Sequence, residues 1–139
     1  MQVSVDSKLK GNISGVTCKL DIEKAYDHVN WGFLLNTFRQ MDFGERWVAW
    51  IKFCISTVRF SILVNGEPVS SFSSGRGIRQ GDPLSPFLFI LVIEGFDSLI
   101  RIATQNRWIR GFQTSENNGD IQEIFHLLYA DDTVIFNES

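Results

Sequence analysis

The chain has 139 residues, of which 44% are hydrophobic and 21% are charged, and its formal net charge is −3. This length favours a single domain, the composition excludes a disordered or fibrous protein, and the acidic balance argues against tight nucleic-acid binding by the chain alone. The longest uninterrupted apolar run, Phe87–Ile93, is far shorter than the ~20 residues of a membrane-spanning helix, and the first residues lack the apolar stretch of a secretory signal.

Apolar side-chain patterns predict a strand and two helices in the first part of the chain. Residues 1–14 form a polar lead-in, and residues 15–22 alternate in the manner of a strand. Asn30 is the predicted N-cap of a helix that ends at Gly44, and a second helix follows it. The side chains that we expect to be buried are Leu34, Leu35, Phe38 and Met41 in the first helix, and Trp47, Trp50, Ile51, Cys54 and Ile55 in the second.

The middle of the chain has the pattern of a hairpin followed by a long helix. Residues 58–72 alternate around Asn65-Gly66, and this dipeptide is a strong signal for a tight turn. A glycine-rich loop over residues 73–81 comes next. Two prolines then suit the opening turn of a long helix over residues 83–104.

The last predicted element is a hairpin with two carboxylates at its tip. Its strands are the apolar runs Ile124–Ala130 and Thr133–Phe136, which Asp131 and Asp132 join. The whole order is strand, helix, helix, hairpin, helix, hairpin. This order predicts an α+β fold in which helices cover one face of an antiparallel sheet.

Three aspartates at strand ends are candidates for a metal site. Asp21 lies at the end of the first predicted strand, and Asp131 and Asp132 lie at the tip of the last hairpin. Taken singly, these acids also fit ordinary turns and blunted sheet edges. If the two strands are neighbours, the carboxylates converge, and like charges side by side are costly without cations between them. Oxygen ligands without a nearby His or Cys favour Mg²⁺ or Mn²⁺, and two such ions about 3.5–4 Å apart support in-line attack at phosphorus.

Three motifs carry a family resemblance: LDIEKAYD at residues 20–27, GIRQGDPLSP at residues 77–86 and YADD at residues 129–132. They strongly resemble motifs of the reverse transcriptases, and most of all those of the non-LTR (LINE-type) retrotransposons of plants. A four-residue match alone is weak, whereas three motifs in the right order are specific. The resemblance implies that residues 15–139 are part of an RNA-directed DNA polymerase, with the antiparallel sheet of a polymerase palm.

The resemblance also implies two bound Mg²⁺ (or Mn²⁺) ions and the residues that hold them. Asp21 corresponds to the first metal-binding aspartate. Asp131 and Asp132 correspond to the acidic pair of the family's hairpin, with Asp131 the more critical of the two, and the backbone carbonyl of Ile22 corresponds to an auxiliary metal ligand. The implied reaction is attack of a primer 3′-hydroxyl on the α-phosphorus of a deoxynucleoside triphosphate (dNTP) by a two-metal mechanism.

A nucleotide-binding group follows from the same resemblance. Tyr26, next to Ala25, corresponds to the steric gate that excludes a ribose 2′-hydroxyl, although a core aromatic is the simpler interpretation of this residue by itself. Gln80 and Gly81 correspond to residues that contact the incoming nucleotide and the template, and Gly81 permits close approach of the backbone. Arg79 is placed to meet phosphate, although arginine is also common on ordinary surfaces.

The fingers and thumb regions of the family are not recognisable in these 139 residues, so we expect an incomplete palm. We therefore expect weak nucleic-acid binding, exposed apolar surface that permits self-association, and negligible polymerase activity of the chain by itself. The implied partners are an RNA template, a DNA primer and dNTPs, inside the cell in the nucleus or cytoplasm. The alternative is a non-catalytic remnant of a retrotransposon reading frame. A nucleotide cyclase is disfavoured, because the RQGDPLSP loop has no place in that class.

Overall fold

The computed structural model describes residues 2–6, 15–115, 121–129 and 132–138. The chain divides into two compact units: unit 1 comprises residues 1–25 and 96–139, and unit 2 comprises residues 26–95. No helix in the described residues is long and apolar enough to cross a membrane. The elements in chain order are β1 (Gln2–Asp6), β2 (Gly15–Asp21), α1 (Ala25–His28), α2 (Trp31–Gln40), α3 (Glu45–Ser56), β3 (Arg59–Val64), β4 (Glu67–Ser73), α4 (Ser85–Gln105), β5 (Phe112–Ser115), β6 (Ile121–Ile124), β7 (His126–Tyr129) and β8 (Asp132–Glu138).

Unit 1 contains a four-stranded antiparallel sheet with the strand order β1-β2-β8-β7. The strand expected over residues 15–22 is confirmed as β2, whose alternating side chains give the sheet two different faces. On one face Leu20 is paired with Thr133, which is 1% exposed, so the face is covered at this end, whereas Val16 farther along the same face is 45% exposed. Asp21 lies on the other face. Strand β1 was not predicted, although Val3 and Val5 alternate there with polar residues.

Unit 2 has a core to which α2 and α3 contribute most. Asn30 is the N-cap of α2, as predicted, and its Oδ1 accepts a hydrogen bond from the Phe33 backbone N–H at 2.9 Å. A Cβ atom at Gly95 of α4 would lie 2.5 Å from Thr37 Oγ1, so glycine permits α4 to pack closely on α2. The buried hydrophobic side chains of this unit are Val29, Leu34, Leu35, Phe38, Val48, Ile51, Ile55, Ile78, Leu88 and Phe89.

The predicted end of α2 is wrong. The helix ends at Gln40 rather than at Gly44, because Asp42 turns the chain with a φ of 61°. Asp is one of the few residues besides glycine that visits this left-handed region readily. Gly44 instead precedes α3 as its N-cap. Met41, which we expected in the core, is consequently 39% exposed.

The predicted buried stripe of α3 is wrong in part, since the buried face is rotated about the helix axis. Ile51 and Ile55 are buried as expected, but the third buried residue is Val48. Both the predicted and the observed stripes have helical spacing, so periodicity alone does not separate them. The predicted positions that are exposed instead are Trp47, Trp50 and Cys54, the tryptophans by 44% and 51%.

The hairpin β3–β4 has the position and turn that were predicted. Asn65 and Gly66 both have positive φ values, 53° and 87°, as the tight turn of a two-residue hairpin requires. The two strands pair only with each other in the described structure, and every residue of both strands is exposed. The alternation of apolar residues in this segment therefore does not correspond to a buried face.

The end of the chain contains one more hairpin than predicted. The apolar run that we expected to form one strand over Ile124–Ala130 is divided, because β6 pairs with β5 while β7 pairs with β8. Phe125 lies between the two strands, and its carbonyl accepts a hydrogen bond from the Phe136 backbone N–H at 2.9 Å. Ala130 lies outside the described residues. With helices and antiparallel sheets in one chain, the α+β prediction is confirmed.

Candidate catalytic site

Asp21 and Asp132 are direct cross-strand partners at the ends of β2 and β8. Directly opposed residues of antiparallel strands project to the same face, with Cβ atoms roughly 4.5–5.5 Å apart. Both residues are partly exposed, so solvent or a cation can reach their carboxylates. The two strands are thus neighbours, which was the condition for convergence of the acids.

Lys19 supplies a positive charge on the same face of the sheet. Its Nζ lies 3.2 Å from Asp132 Oδ1. Lys19 and Asp21 are two residues apart on β2 and therefore project to one side. Lys19 is paired across the ladder with Val134, so Asp132 is its diagonal neighbour on β8. The face thus carries two carboxylates with an ammonium group beside one of them.

The third predicted metal ligand, Asp131, lies outside the described residues. Within the described residues, no group of three or more His, Cys, Asp or Glu side chains is arranged to hold a metal ion. Asp21 and Asp132 offer carboxylate oxygens only, and Ile22 follows Asp21 directly at the end of β2. Oxygen donors of this kind suit Mg²⁺ or Mn²⁺ and do not suit zinc.

The strand that leads into the YADD motif is tied to α4 by a contact between a histidine and a carboxylate. His126 Nε2 on β7 lies 2.7 Å from Asp97 Oδ1, and Arg101 Nε lies 2.6 Å from the other oxygen of Asp97. The side chains of His126 and Asp97 are only 15% and 17% exposed, so solvent screens their contact less than it screens a surface pair. His126 Nδ1 is buried and has no hydrogen-bond partner in the described part of the chain.

In unit 2, two backbone hydrogen bonds fix the start of the GIRQGDPLSP motif. The Gly77 N–H donates to the Val29 carbonyl at 2.8 Å, and the Ile78 N–H donates to the Tyr26 carbonyl at 2.9 Å. Because Tyr26 belongs to the LDIEKAYD motif, these bonds hold parts of two motifs together.

Gly77 is required at this junction for two reasons. Its φ is 84°, and a Cβ atom there would lie 2.8 Å from the backbone oxygen of Asp27. The Gly77 carbonyl in turn accepts a hydrogen bond from Trp31 Nε1 at 2.7 Å. Any side chain at this position would push the motif away from its support.

Tyr26 has a defined ring position on α1. The ring is stacked on that of Phe89 in α4, with centroids 4.7 Å apart and planes 14° from parallel. Tyr26 is half-buried, and its neighbour Ala25 is 8% exposed. This geometry is compatible with a core aromatic and with a ring that limits the space beside it.

Arg79 and Gln80 are exposed and line a cleft of about 560 Å³. No ion pair of Arg76 or Arg79 is present in the described structure. A cleft of this size that combines aromatic rings with guanidinium groups suits a nucleotide. The aromatic and polar side chains that line it are Asp27, Trp31, Phe60, Phe72, Ser74, Arg76, Arg79 and Gln80.

Gly81 and Asp82 complete the motif loop before α4. Gly81 has a φ of 83°, and a Cβ atom there would meet nothing within 4 Å, so its backbone borders open space. Asp82 Oδ1 accepts a hydrogen bond from the Leu84 N–H at 2.8 Å, which orders the entry to the helix.

Comparison with known families shows what these motifs belong to. Residues 5–139 match the family described as "Reverse transcriptase (RNA-dependent DNA polymerase)". The chain belongs to the reverse transcriptase family. The family resemblance found in the sequence is thereby confirmed, and the three motifs of this reverse transcriptase domain lie within the matched residues.

Relatives of this reverse transcriptase domain include retrotransposon polyproteins. An uncharacterized mitochondrial protein of Arabidopsis thaliana is 45% identical over 71 residues, which are 51% of this chain and 56% of that protein. The Pol polyprotein from the type-2 retrotransposable element R2DM of Drosophila melanogaster is 28% identical over 120 residues, 86% of this chain and 10% of the polyprotein. A Pol polyprotein from a type-1 element R2 of Nasonia vitripennis is 29% identical over 135 residues, 95% of this chain and 12% of the polyprotein. The chain thus spans about half of the first relative and about a tenth of the polyproteins.

Three residues of the reverse transcriptase domain were missed by sequence reasoning. Lys19 could have been found from the sequence. Residues two apart on a strand point to the same face, which places Lys19 on the face that carries Asp21. Gly77 opens the GIRQGDPLSP motif, but only the backbone contact with Asp27 reveals why this residue is glycine. His126 gave no signal, since its partner Asp97 is distant in sequence and lies on another element.

Proposed function

We propose that this reverse transcriptase domain supplies the metal-binding and nucleotide-binding groups for template-directed transfer of dNTPs to a primer 3′-hydroxyl, and that the sheet of unit 1 is a polymerase palm. The pairing of Asp21 with Asp132 carries this proposal. It brings acids from the first and last motifs to one face of one sheet, as a shared metal site needs. The RNA template, the DNA primer and the dNTP are partners in the proposal.

The metal ligands of the proposal are carboxylates held by β-sheet hydrogen bonds. Asp21, Asp131 and Asp132 would hold Mg²⁺ or Mn²⁺, together with the backbone carbonyl of Ile22. When bound, two such ions lower the pKa of the primer hydroxyl and stabilise the charge on the leaving pyrophosphate. The protein limits the separation of Asp21 and Asp132 through the β2–β8 ladder, so little reorganisation is needed when the site is loaded.

The nucleotide-binding residues of the proposal lie on α1 and the motif loop. The Tyr26 ring, held by its stack on Phe89, excludes a ribose 2′-hydroxyl. Ala25, which directly precedes Tyr26 in the chain, is buried. Arg79 meets phosphate, and the proposed contacts of Gln80 and Gly81 are with the nucleotide and the template. The cleft that Arg79 and Gln80 line is large enough for a nucleotide, which supports this assignment.

Calorimetric titration with Mn²⁺ tests the proposed metal site. We expect saturable binding by the wild-type chain, and at least roughly tenfold weaker binding after Asp21→Asn, Asp131→Asn or Asp132→Asn, because each change removes a charged oxygen ligand. Asp42→Asn is the matched control, since Asp42 is exposed in unit 2 and Asn tolerates its positive φ. Equal binding by all four variants and the wild type would contradict the proposal.

Primer extension on poly(rA)·oligo(dT) tests the activity of the isolated chain. We expect negligible incorporation with either Mg²⁺ or Mn²⁺, because a net charge of −3 leaves little attraction for the phosphates of a duplex. Incorporation that disappears after Asp131→Ala would show that the expected inactivity is wrong. Absence of both Mn²⁺ binding and incorporation would favour the non-catalytic remnant.

A further inference from the structure

We propose that Lys19 is a positioning residue whose ammonium group takes the electrostatic place of a divalent cation beside Asp132, and that it withdraws when an ion binds. This inference rests on the proposed metal site at Asp21 and Asp132 and adds a resident competitor to it. It gives the site a metal-free state in which one carboxylate is already paired.

Lys19 lies where its ammonium group can compete with a cation for the carboxylate of Asp132. Its Nζ is 3.2 Å from Asp132 Oδ1, so the ammonium group occupies an oxygen that a bound ion would also use. The sheet register brings Lys19, Asp21 and Asp132 to one face, so the contact does not depend on a chance surface encounter. Lys19 reaches Asp132 diagonally across the ladder, as a long side chain can.

The same side chain is able to leave. The side chains of Lys19 and Asp132 are 52% and 42% exposed, so neither is confined by packing. A lysine carries its charge on a flexible four-carbon stem and is strongly hydrated, which makes a move into solvent cheap. An ion pair exposed to this degree is weak, and a divalent cation that binds two or more carboxylates can displace it.

Charge arithmetic gives the direction of the effect. Without a cation, Asp21 and Asp132 repel each other, and the Lys19 ammonium offsets part of that repulsion. The same ammonium repels an arriving divalent ion while it remains beside Asp132. Lys19 therefore stabilises the metal-free sheet end and weakens ion binding, and its removal should do the reverse.

Mn²⁺ titration of Lys19→Met at about 0.05 M salt tests the inference, because methionine keeps an unbranched stem and loses the charge. We expect a dissociation constant roughly three- to tenfold lower than that of the wild type. Lys19→Arg, which keeps the charge, should stay within about twofold of the wild type. Lys52→Met is the control, since Lys52 is an exposed lysine on α3 in unit 2 and its loss should leave Mn²⁺ binding unchanged.

Two further measurements separate competition from a purely structural role. The effect of Lys19→Met should shrink toward none at about 0.5 M salt, because salt screens the ammonium charge. It should also fall by at least half in an Asp132→Asn background, where the partner charge is absent. A structural role would depend on neither condition.

The outcomes distinguish this inference from the proposed metal site. Unchanged or weaker Mn²⁺ binding by Lys19→Met, with Asp21→Asn still strongly impaired, would overturn the role of Lys19 and leave the site intact. Absence of Mn²⁺ binding by the wild-type chain would overturn both. Tighter binding by Lys19→Met together with wild-type affinity in Lys19→Arg supports the competitor.

Discussion

The hairpins β3–β4 and β7–β8 have similar local sequence signals but are held in different ways. Hairpin β3–β4 is a two-stranded sheet that is exposed along both strands, and its pairing shifts register between Ile62 and Leu63, a few residues from the Asn65-Gly66 turn. In the other hairpin, β8 lies between β2 and β7. Thr133 of β8 is 1% exposed, so β8 is fixed by packing as well as by hydrogen bonds.

This difference teaches where a strand can support chemistry. An isolated two-stranded hairpin is only marginally stable in water, so local turn and pair preferences decide its geometry. In a strand that has partners on both sides and a buried residue such as Thr133, a slip of one residue would move every side chain to the opposite face of the sheet. Packing therefore fixes the register of such a strand. Asp132 is on a strand of the second kind. The separation of Asp132 and Asp21 is therefore set by the sheet and not by the tip of the hairpin.

The largest expected effect comes from introducing an arginine into each hairpin in turn. We expect Thr133→Arg to lower the free energy of unfolding by about 3 kcal/mol or more, because it forces a charge into a covered position. Ser71→Arg on the exposed strand β4 should change it by no more than about 0.5 kcal/mol. Urea unfolding followed by circular dichroism measures both. Similar losses for the two variants would mean that β3–β4 is as closely packed as β8.

A smaller effect is expected from the contact between His126 and Asp97 that holds β7. We expect His126→Leu to lower the free energy of unfolding by about 1–2 kcal/mol, because Asp97 loses a partner that is shielded from solvent. The loss is limited because the substitution also removes the buried Nδ1, which has no hydrogen-bond partner in the described residues. Arg101→Ala removes the other partner of Asp97 but should cost less than about 0.5 kcal/mol, since the Arg101 side chain is 73% exposed. Urea unfolding of both variants gives the comparison. A larger loss for Arg101→Ala would contradict this ranking of shielded and exposed contacts.

The elements that could be predicted from the sequence are those with local causes. Asn30 caps α2 through its own side chain, and Asn65-Gly66 makes its turn through two positive φ values, so both were found from a few residues. The acids of the site belong to the same class, because the apolar runs before Asp21 and Asp132 place them at the ends of strands. Their pairing across β2 and β8 followed only on the condition that the strands are neighbours.

The features that could not be predicted depend on what covers a side chain. Val48 is buried while Trp47 and Trp50 are exposed, although the tryptophans have the greater apolar area and equally helical spacing. The run over residues 124–130 was divided between two hairpins because β6 pairs with β5. No local sequence pattern predicted that pairing. Lys19 was overlooked for a different reason. The role of an exposed lysine cannot be recognised until the sheet register shows which acid lies diagonally opposite it.

The smallest effect tests whether β3–β4 is held by its own cross-strand contacts. The rings of Phe60 and Phe72 are stacked with centroids 5.8 Å apart, and these residues are 38% and 49% exposed. We expect Phe60→Ala to cost about 0.5–1 kcal/mol, and Phe72→Ala to add little once Phe60 is gone, because the two rings share one contact. Hydrogen exchange should accelerate in β3 and β4 and remain unchanged in β2 and β8. Accelerated exchange in β8 would mean that the two hairpins are coupled, and that the rigidity of the Asp132 strand does not come from its own sheet alone.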